Sequence, residues 1–505
     1  MRLPRHIALC LPLLLPCAAQ ADDIGPAQAQ ALQQQLKDWF AGLLGPTGTT
    51  PDLSLRITGE GDHYRMTWPI PGLDDPGAGA AVTAAVRPLD GGRWAIDGIM
   101  LPPTASLTMT LPDTGDPATG GPQKATFAVG HQDSQALIDP ALAGPSTLHL
   151  DLGNVAITTD GAKRHQEQRI GRYLVETSLK PARNDRLDAV MDATIEEFET
   201  ASRADSGPAV AVGAQKAHAV GRIDGLRRDR TGGIIAAMAG FLRALPPDVV
   251  QKHGRDDLPP PARAQLHALI EALPDLLNGV RLDETVDGLQ VEVAGIGGLA
   301  LHRLLLGFGG EAPGGNLRAW AALGLDGLES PSLPPTLAAY LPHHLELRPS
   351  LSGIRTEDLA KLALDASEPD LGDDRLSPDI AAIFAHGPVE IAMEALSFDL
   401  GPAKVEGLGK LVVAAADSWR GEARLSATGF DDLTAQARKD PALKQALPVL
   451  MMLGGLAKPD GDRKVWDIAS DGTAMTVNGL DLSGLAGDKP KTKQPNGPQG
   501  QPRRR

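Results

Sequence analysis

Beyond residue 17 the chain has no cysteine: both, Cys10 and Cys17, lie in an N-terminal apolar run. That excludes disulfides, thiolate zinc sites, iron–sulfur clusters and cysteine nucleophiles from the rest of the protein. Aromatic residues make up only 3% of the chain, too few for platforms that stack sugars or bases. The formal net charge of −15 opposes binding to DNA or RNA, and nonspecific adhesion to an anionic membrane. No apolar run approaches the roughly 20 residues a membrane-spanning helix needs. There is no G-x-S-x-G, no P-loop and no H-E-x-x-H.

What is present begins with an export signal. "MRLPRH" is a basic leader with Arg2 and Arg5, "IALCLPLLLPCAA" is a short apolar region, and Ala19-Gln20-Ala21 is an A-x-A cleavage site. Cleavage after Ala21 is expected, giving a periplasmic protein that starts at Asp22. There are two rivals: an uncleaved anchor, which Pro12, Pro16 and the shortness of the run oppose, and a lipoprotein signal with Cys17 lipidated, which Pro16 fits poorly. Apolar residues at 42% can build a substantial core, while 57 glycines and 42 prolines imply frequent turns.

The patterning divides the chain as follows. A signal covers 1–21. An N-terminal β-rich region, 22–184, opens with an amphipathic helix over 26–44, where Leu32, Leu36, Trp39, Phe40, Leu43 and Leu44 share a face. "LSLRITGEGDHYRMTW" reads as a hairpin, and 112–123 as a loop. A mixed, partly helical middle region covers 185–285. Within it 185–203 suits a helix and a strand equally, whereas "TGGIIAAMAGFLRAL" and "PPARAQLHALIEALPDLL" read as helices. A C-terminal β-rich region covers 286–485, with helices expected over 356–366, 377–385 and 431–456. The polar, basic tail 486–505 has a disordered composition. The expected fold class is α+β and β-dominated: long curved antiparallel sheets with kinked strands and short intervening helices.

One signature recurs six times: apolar, Asp/Glu/Asn, Gly, apolar. It is "IDGI" at 96–99, "IDGL" at 223–226, "VDGL" at 286–289, "LDGL" at 325–328, "VEGL" at 405–408 and "VNGL" at 477–480. Chance would give roughly one match. The same three-residue apolar step occurs in "LDLGNVAI", "VEVAGI" and "IAMEALSF". Strict alternation would send residues three apart to opposite faces, and a bulge or bend restores them to one. Gly98, Gly225, Gly288, Gly327, Gly407 and Gly479 are therefore expected at turns or bulges with positive φ, between apolar residues that both face the core. Val477 and Leu480 should be buried together, and Gly479→Val should cost more than Asn478→Ala.

Chemistry-bearing patterns are sparse. "GIGGLA" (295–300) matches a dinucleotide turn, but a turn or bulge is the better reading. His343-His344 would point to opposite faces of a strand and lacks further ligands. Asp373-Asp374 has no partner group, and Asp431-Asp432 reads as an N-cap. "LPVLMMLGGLA" (447–457) reads as a core helix in preference to a lipid-facing one. No catalytic residue, metal or cofactor is expected.

"LPHHLELRPSLSGI" (341–354), "RTEDLAKLAL", "GEARLSATGFDDLTAQARK" (421–439) and "VWDIASDGTAMTVNGLDL" (465–482) together resemble the C-terminal half of the DUF2125 family. These are exported or envelope-anchored alphaproteobacterial proteins related to AsmA-like and YdgA-like proteins. The resemblance implies no catalytic residues; its AsmA-like relatives imply a curved β-sheet groove that shields lipid tails. The preferred expectation is a non-catalytic envelope protein that binds lipid or another apolar ligand, or docks an envelope partner. A scaffold or assembly factor with no small ligand is the second reading, and an enzyme with an unrecognised site the third.

Overall fold

The computed structural model describes residues 25–44, 54–69, 73–74, 81–111, 121–142, 145–161, 164–204, 207–244, 258–334, 338, 340–368, 373–415 and 418–482. The expected signal and cleavage site and the tail 486–505 lie outside these residues, as does most of the expected loop 112–123.

Strands dominate. Short ones come first: β1 (Arg56–Glu60), β2 (His63–Pro69), β3 (Leu73–Asp74), β4 (Ala81–Pro88), β5 (Trp94–Met100) and β6 (Thr104–Leu111). Long ones follow: β7 (Gly121–Ile138), β8 (Pro145–Gly161), β9 (Arg164–Ala182), β10 (Arg186–Ala204), β11 (Val210–Arg227), β12 (Gly279–Val293), β13 (Gly297–Glu311), β14 (Asn316–Glu329), β15 (His344–Arg355), β16 (Val389–Leu400), β17 (Ala403–Ala415) and β18 (Ser418–Thr428). The chain closes with β19 (Lys458–Asp460), β20 (Arg463–Ser470), β21 (Met475–Val477) and β22 (Leu480–Asp481). From β7 to β18 each strand pairs antiparallel with the next in sequence, so the sheet is one long meander.

Helix α1 (Pro26–Leu44) precedes the sheet and buries Ala29, Leu32 and Leu36, spaced i, i+3, i+7 along one face. Helices α2 (Arg228–Ala244) and α3 (Pro260–Ala272) fill the β11–β12 connection, and α4 (Thr356–Ala366) and α5 (Asp373–Phe384) the β15–β16 connection. Asp224 pairs with Gly279, Gly279 with Glu311, and Asn316 with Arg355. Both helical connections therefore leave from the same ends of the strands. There α1 touches α2, α2 touches α3, α3 touches α4 and α4 touches α5, a row of helices along one side. At the opposite strand ends, α6 (Phe430–Lys439) and α7 (Leu447–Leu456) join β18 to β19. Among the described residues no helix is long and apolar enough to cross a membrane.

Three separate cores form. The first packs α1 against β1, β2, β4, β5 and the end of β7. The second packs Phe430, Leu450 and Leu456 against β17, β18, β20 and β21. The third packs Leu362, Ile383 and Phe384 against β15 and β16. Strands β8 to β14 contribute no residue to any of them.

Segment 185–203 is a strand: β10 pairs along its whole length with β9 and β11, and two flanking ladders override a neutral local pattern. The boundary at 184/185 falls in the β9–β10 turn, where Asn184 and Asp185 have positive φ, and that at 285/286 falls inside β12. Stretch 286–301 is a hairpin, with Gly295 at φ 77° in its turn, so "GIGGLA" opens a strand and no helix follows it. Segment 431–456 forms two helices.

The β20–β21 turn carries an acid-sensitive lock. Asp471 Oδ1 accepts the backbone N–H of Thr473 and Ala474, each at 2.9 Å, and the Thr473 hydroxyl at 2.8 Å. The Ala474 and Thr473 amides, then that hydroxyl, hold the carboxyl down to about 2, below its ordinary 3.8. A depressed folded value means the stabilisation is complete above the ordinary value and disappears as pH falls toward 2. Lowering pH through that window should reduce the melting temperature of the parent more than that of Asp471→Asn. Equal slopes in the two proteins would dismiss the lock.

Candidate apolar binding face

The long strands are two-faced, and the register shows how. Leu152, Tyr173, Ile195, Ala217, Val286, Leu304, Leu325, Leu345, Phe398, Val405 and Ala427 are successive cross-strand partners, one unbroken apolar row over eleven strands. Two residues along, a second row runs from Ser134 through Leu150, Val175, Ala193, Ala219, Glu284, Leu306, Leu323, Leu347, Leu396, Gly407 and Leu425 to Trp466. Residues two apart share a face, so both rows lie on one side of the sheet.

The row next to the first, on the side away from the second, faces the other way and alternates in charge. Arg172, Glu196, Lys216, Asp287, Arg303, Asp326 and His344 are successive partners. Arg303 bonds Asp287 at 2.8 Å, His344 bonds Asp326 at 2.7 Å, and Lys216 lies 3.6 Å from Glu196. On the same face Arg172 pairs with Asp151 at 2.7 Å, and its hydrogen bond keeps that carboxyl below the usual carboxylate range. Exposed pairs of this kind contribute little stability each, but opposite charges directly across strands penalise a slipped register. This is a solvent face.

A crease separates these rows from a further apolar row. Asn154, Glu197, Gly288 and Gly327 sit in alternate strands β8, β10, β12 and β14 with φ of 52°, 55°, 65° and 67°. The register aligns them, through Gly171, Gln215 and His302 of the intervening strands, into one line across the sheet. Beyond it Val155, Ile170, Phe198, Ala214, Leu289, Leu301 and Leu328 form the third apolar row, three residues from the first. Strict alternation would place this row with the charges; a left-handed residue in alternate strands turns the chain and lets the apolar series continue on its own side. Packing across the crease is tight: a Cβ on Gly288 would strike the Gln215 side chain, and one on Gly327 the His302 ring.

The expected turn and bulge glycines fall out as follows. Gly98 and Gly225, at φ 58° and 64°, lie where one partner residue opposes two, so each is a bulge. Gly288 and Gly327 belong to the crease, and Gly479, at φ 82°, to the β21–β22 turn. Gly407 is the exception. It keeps ordinary strand φ and pairs with Leu396, and the extra residue lies one step on in β16, where Glu394-Ala395 oppose Leu408 and the register breaks against both neighbours. Val477 is buried, but Leu480 is 54% exposed, because β22 is the last strand of the sheet among the described residues. At this turn nothing stands within 4 Å of a Cβ on Gly479, although its positive φ strains any side chain, whereas Asn478 is bonded at several points.

All three cores draw on the apolar face. Ala136 and Ile138 enter the first, Leu351 the third, and Val405, Leu425, Ala427, Trp466 and Ile468 the second. Between these covered stretches, along β8 to β14, Leu152 and Val175 are buried and most other row residues half-buried, and the face is most open at β10 and β13. There Phe308 is 53% exposed, Met191 42% and Leu306 39%. Glu284 is the single carboxylate in its row.

Elsewhere among the described residues, the polar clusters make local contacts. His267 Nε2 lies 2.8 Å from Ser367 Oγ, yet Glu368 approaches the same nitrogen at 3.6 Å, and the serine hydroxyl donates to Leu364 O at 2.7 Å. A triad needs the carboxylate on the other ring nitrogen. Buried Asp379 bonds Lys361 at 2.9 Å; that bond lowers its pKa, while the hydrogen bond to Asp379 raises that of Asp365. These groups tie α4 to α5. Asp431 and Asp432 lie in the first turn of α6, but the cap is Gly429, so they complement the helix dipole and do not cap it. His343 and His344 are not joined by further ligands, and the described residues contain no group of three metal-ligating side chains.

Compared with family models, with curated proteins and with solved structures, the chain finds no match.

Proposed function

We propose that this is a non-catalytic periplasmic carrier of lipid or a similarly apolar ligand, which lies along β8 to β14 in a groove formed by a curved sheet. The observation that carries this reading is the pair of apolar rows that lie between three packed cores and are only partly covered, with Met191, Leu306 and Phe308 the most exposed on that face. Soluble proteins rarely leave a large contiguous apolar surface open unless something binds there. Aliphatic side chains without stacked aromatics suit acyl chains, and a lone acid such as Glu284 suits an orienting polar contact. The helix row along one strand end, with cores at both ends of the sheet, leaves the opposite strand ends as the entrance. The resemblance of residues 340–485 to DUF2125 and AsmA-like proteins points the same way, as does the export signal.

Protein recovered from an envelope should carry lipid in native mass spectrometry, and delipidated protein should take up a fluorescent fatty acid or phospholipid. Leu306→Asp with Phe308→Ser, at positions already partly exposed, should weaken uptake by about tenfold or more. Lys216→Gln on the charged face should leave it unchanged. A clean ligand-free mass with no uptake would favour a scaffold whose sheet serves only to dock an envelope partner.

A further inference from the structure

The sequence alone reads "LPVLMMLGGLA" as a core helix, and the structure reverses this. Helix α7 has no buried residue. Only Leu450 and Leu456 pack on the C-terminal core, while Val449, Met451 and Met452 are 53%, 55% and 53% exposed. Its ten residues include no charge, so nothing polar shields this surface. The residues that flank it are basic: Arg438, Lys439 and Lys444 precede it and Lys458 follows. Across Arg438–Lys458 there are four cations and one acid, Asp440, which accepts the Tyr340 hydroxyl at 3.0 Å. Arg438, Lys439 and Lys444 form no ion pair among the described residues. Lys458 lies 3.9 Å from Asp467, and the β19–β20 hairpin that carries it also carries Asp460 and Asp462. In a chain of net charge −15 this is a local inversion.

We propose that α7 docks the protein on an anionic lipid bilayer, with Val449, Met451 and Met452 entering the interface and the flanking cations meeting the headgroups. An apolar surface ringed by lysine and arginine joins the two attractions that interfacial binding uses. Methionines adapt to a disordered surface at little cost. Helix α7 also stands at the strand ends opposite the helix row, the side on which the proposed groove opens. Docking by α7 does not require the groove to hold lipid.

The test is flotation of the full chain with vesicles of phosphatidylcholine, with and without phosphatidylglycerol. The parent should bind the anionic vesicles and release them in high salt. Val449→Asp/Met451→Asp/Met452→Asp should weaken binding about tenfold or more, and Lys439→Glu/Lys444→Glu/Lys458→Glu by a similar factor. Circular dichroism, melting temperature and fatty-acid uptake should stay at parental levels, and Met451→Leu/Met452→Leu should still float. No flotation of the parent, or equal flotation of the aspartate variant, would overturn the proposal. So would a dimer in sedimentation that the aspartates break without any vesicle binding. Loss of fatty-acid uptake in the parent would count against the groove alone.

Discussion

Trp466→Ala should remove about 3–5 kcal/mol from the C-terminal part of the molecule and leave the N-terminal part unmoved. Trp466 is 6% exposed; its ring meets Phe430 edge-on with centroids 5.4 Å apart, and its Nε1–H donates to Leu453 O at 2.9 Å. Truncation leaves a cavity beneath α6 and α7 and removes one of the two hydrogen bonds to the Leu453 carbonyl, which keeps the Ala457 amide at 3.1 Å. The loss should stay local because strands β7 to β18 touch mainly their sequence neighbours, and the three cores share no residue. Such an arrangement approximates a one-dimensional array, in which stability is a sum of nearby terms. Calorimetry should therefore resolve more than one transition. Trp466→Ala should lower one of them, and Leu36→Ala, which truncates a fully buried side chain of the N-terminal core, should lower another. A single transition shifted as a whole by both substitutions would show the sheet to be one cooperative unit.

Asn478→Ala should cost about 3 kcal/mol, and Gly479→Ala only about 1. Asn478 stands at φ 53°, a conformation that asparagine tolerates better than alanine. Its Nδ2 donates to Leu456 O at 2.7 Å and to Val465 O at 2.9 Å, and its Oδ1 accepts the Asp467 amide at 2.9 Å. One side chain thus fastens the last turn of α7 to β20. Gly479 needs its positive φ but has open space where a Cβ would go. Chemical denaturation of the two variants measures the order. An equal or larger loss for Gly479→Ala would mean that backbone strain outweighs the three hydrogen bonds.

Much of the architecture can be read from local pattern. The helix expected over 356–366 spans those residues, because Leu359 and Leu362 fall at helical spacing after acids that suit a helix start. The extra residue in "IAMEALSF" announces the bulge at Glu394-Ala395. The expected three-residue step in "LDLGNVAI" coincides with the left-handed Asn154. What cannot be read is whatever depends on position within the sheet. Glu197 lies on the crease because β9 and β11 align it there, and no residue preference marks it. Leu480 has the sequence context of a buried residue and is exposed because β22 is the last strand among the described residues. Helix α7 is all apolar, the usual mark of burial, yet it sits at the end of the sheet with a single packed side. The apolar rows were visible strand by strand; their continuity over eleven strands appears only when the register is known.

The crease and the charged row share a period of two strands. Left-handed residues fall on β8, β10, β12 and β14, and the acids Glu196, Asp287 and Asp326 on β10, β12 and β14. The hairpin is therefore the quantum of length in this molecule. Excising β12 and β13 together would bring Lys216 beside Asp326, still opposite in sign, and would keep the crease in step. Excising one strand would set like charges side by side and put the bend out of phase. Chains built on this plan can lengthen or shorten their apolar face two strands at a time, so the width of that face should change in increments of about 10 Å, twice the spacing between neighbouring strands.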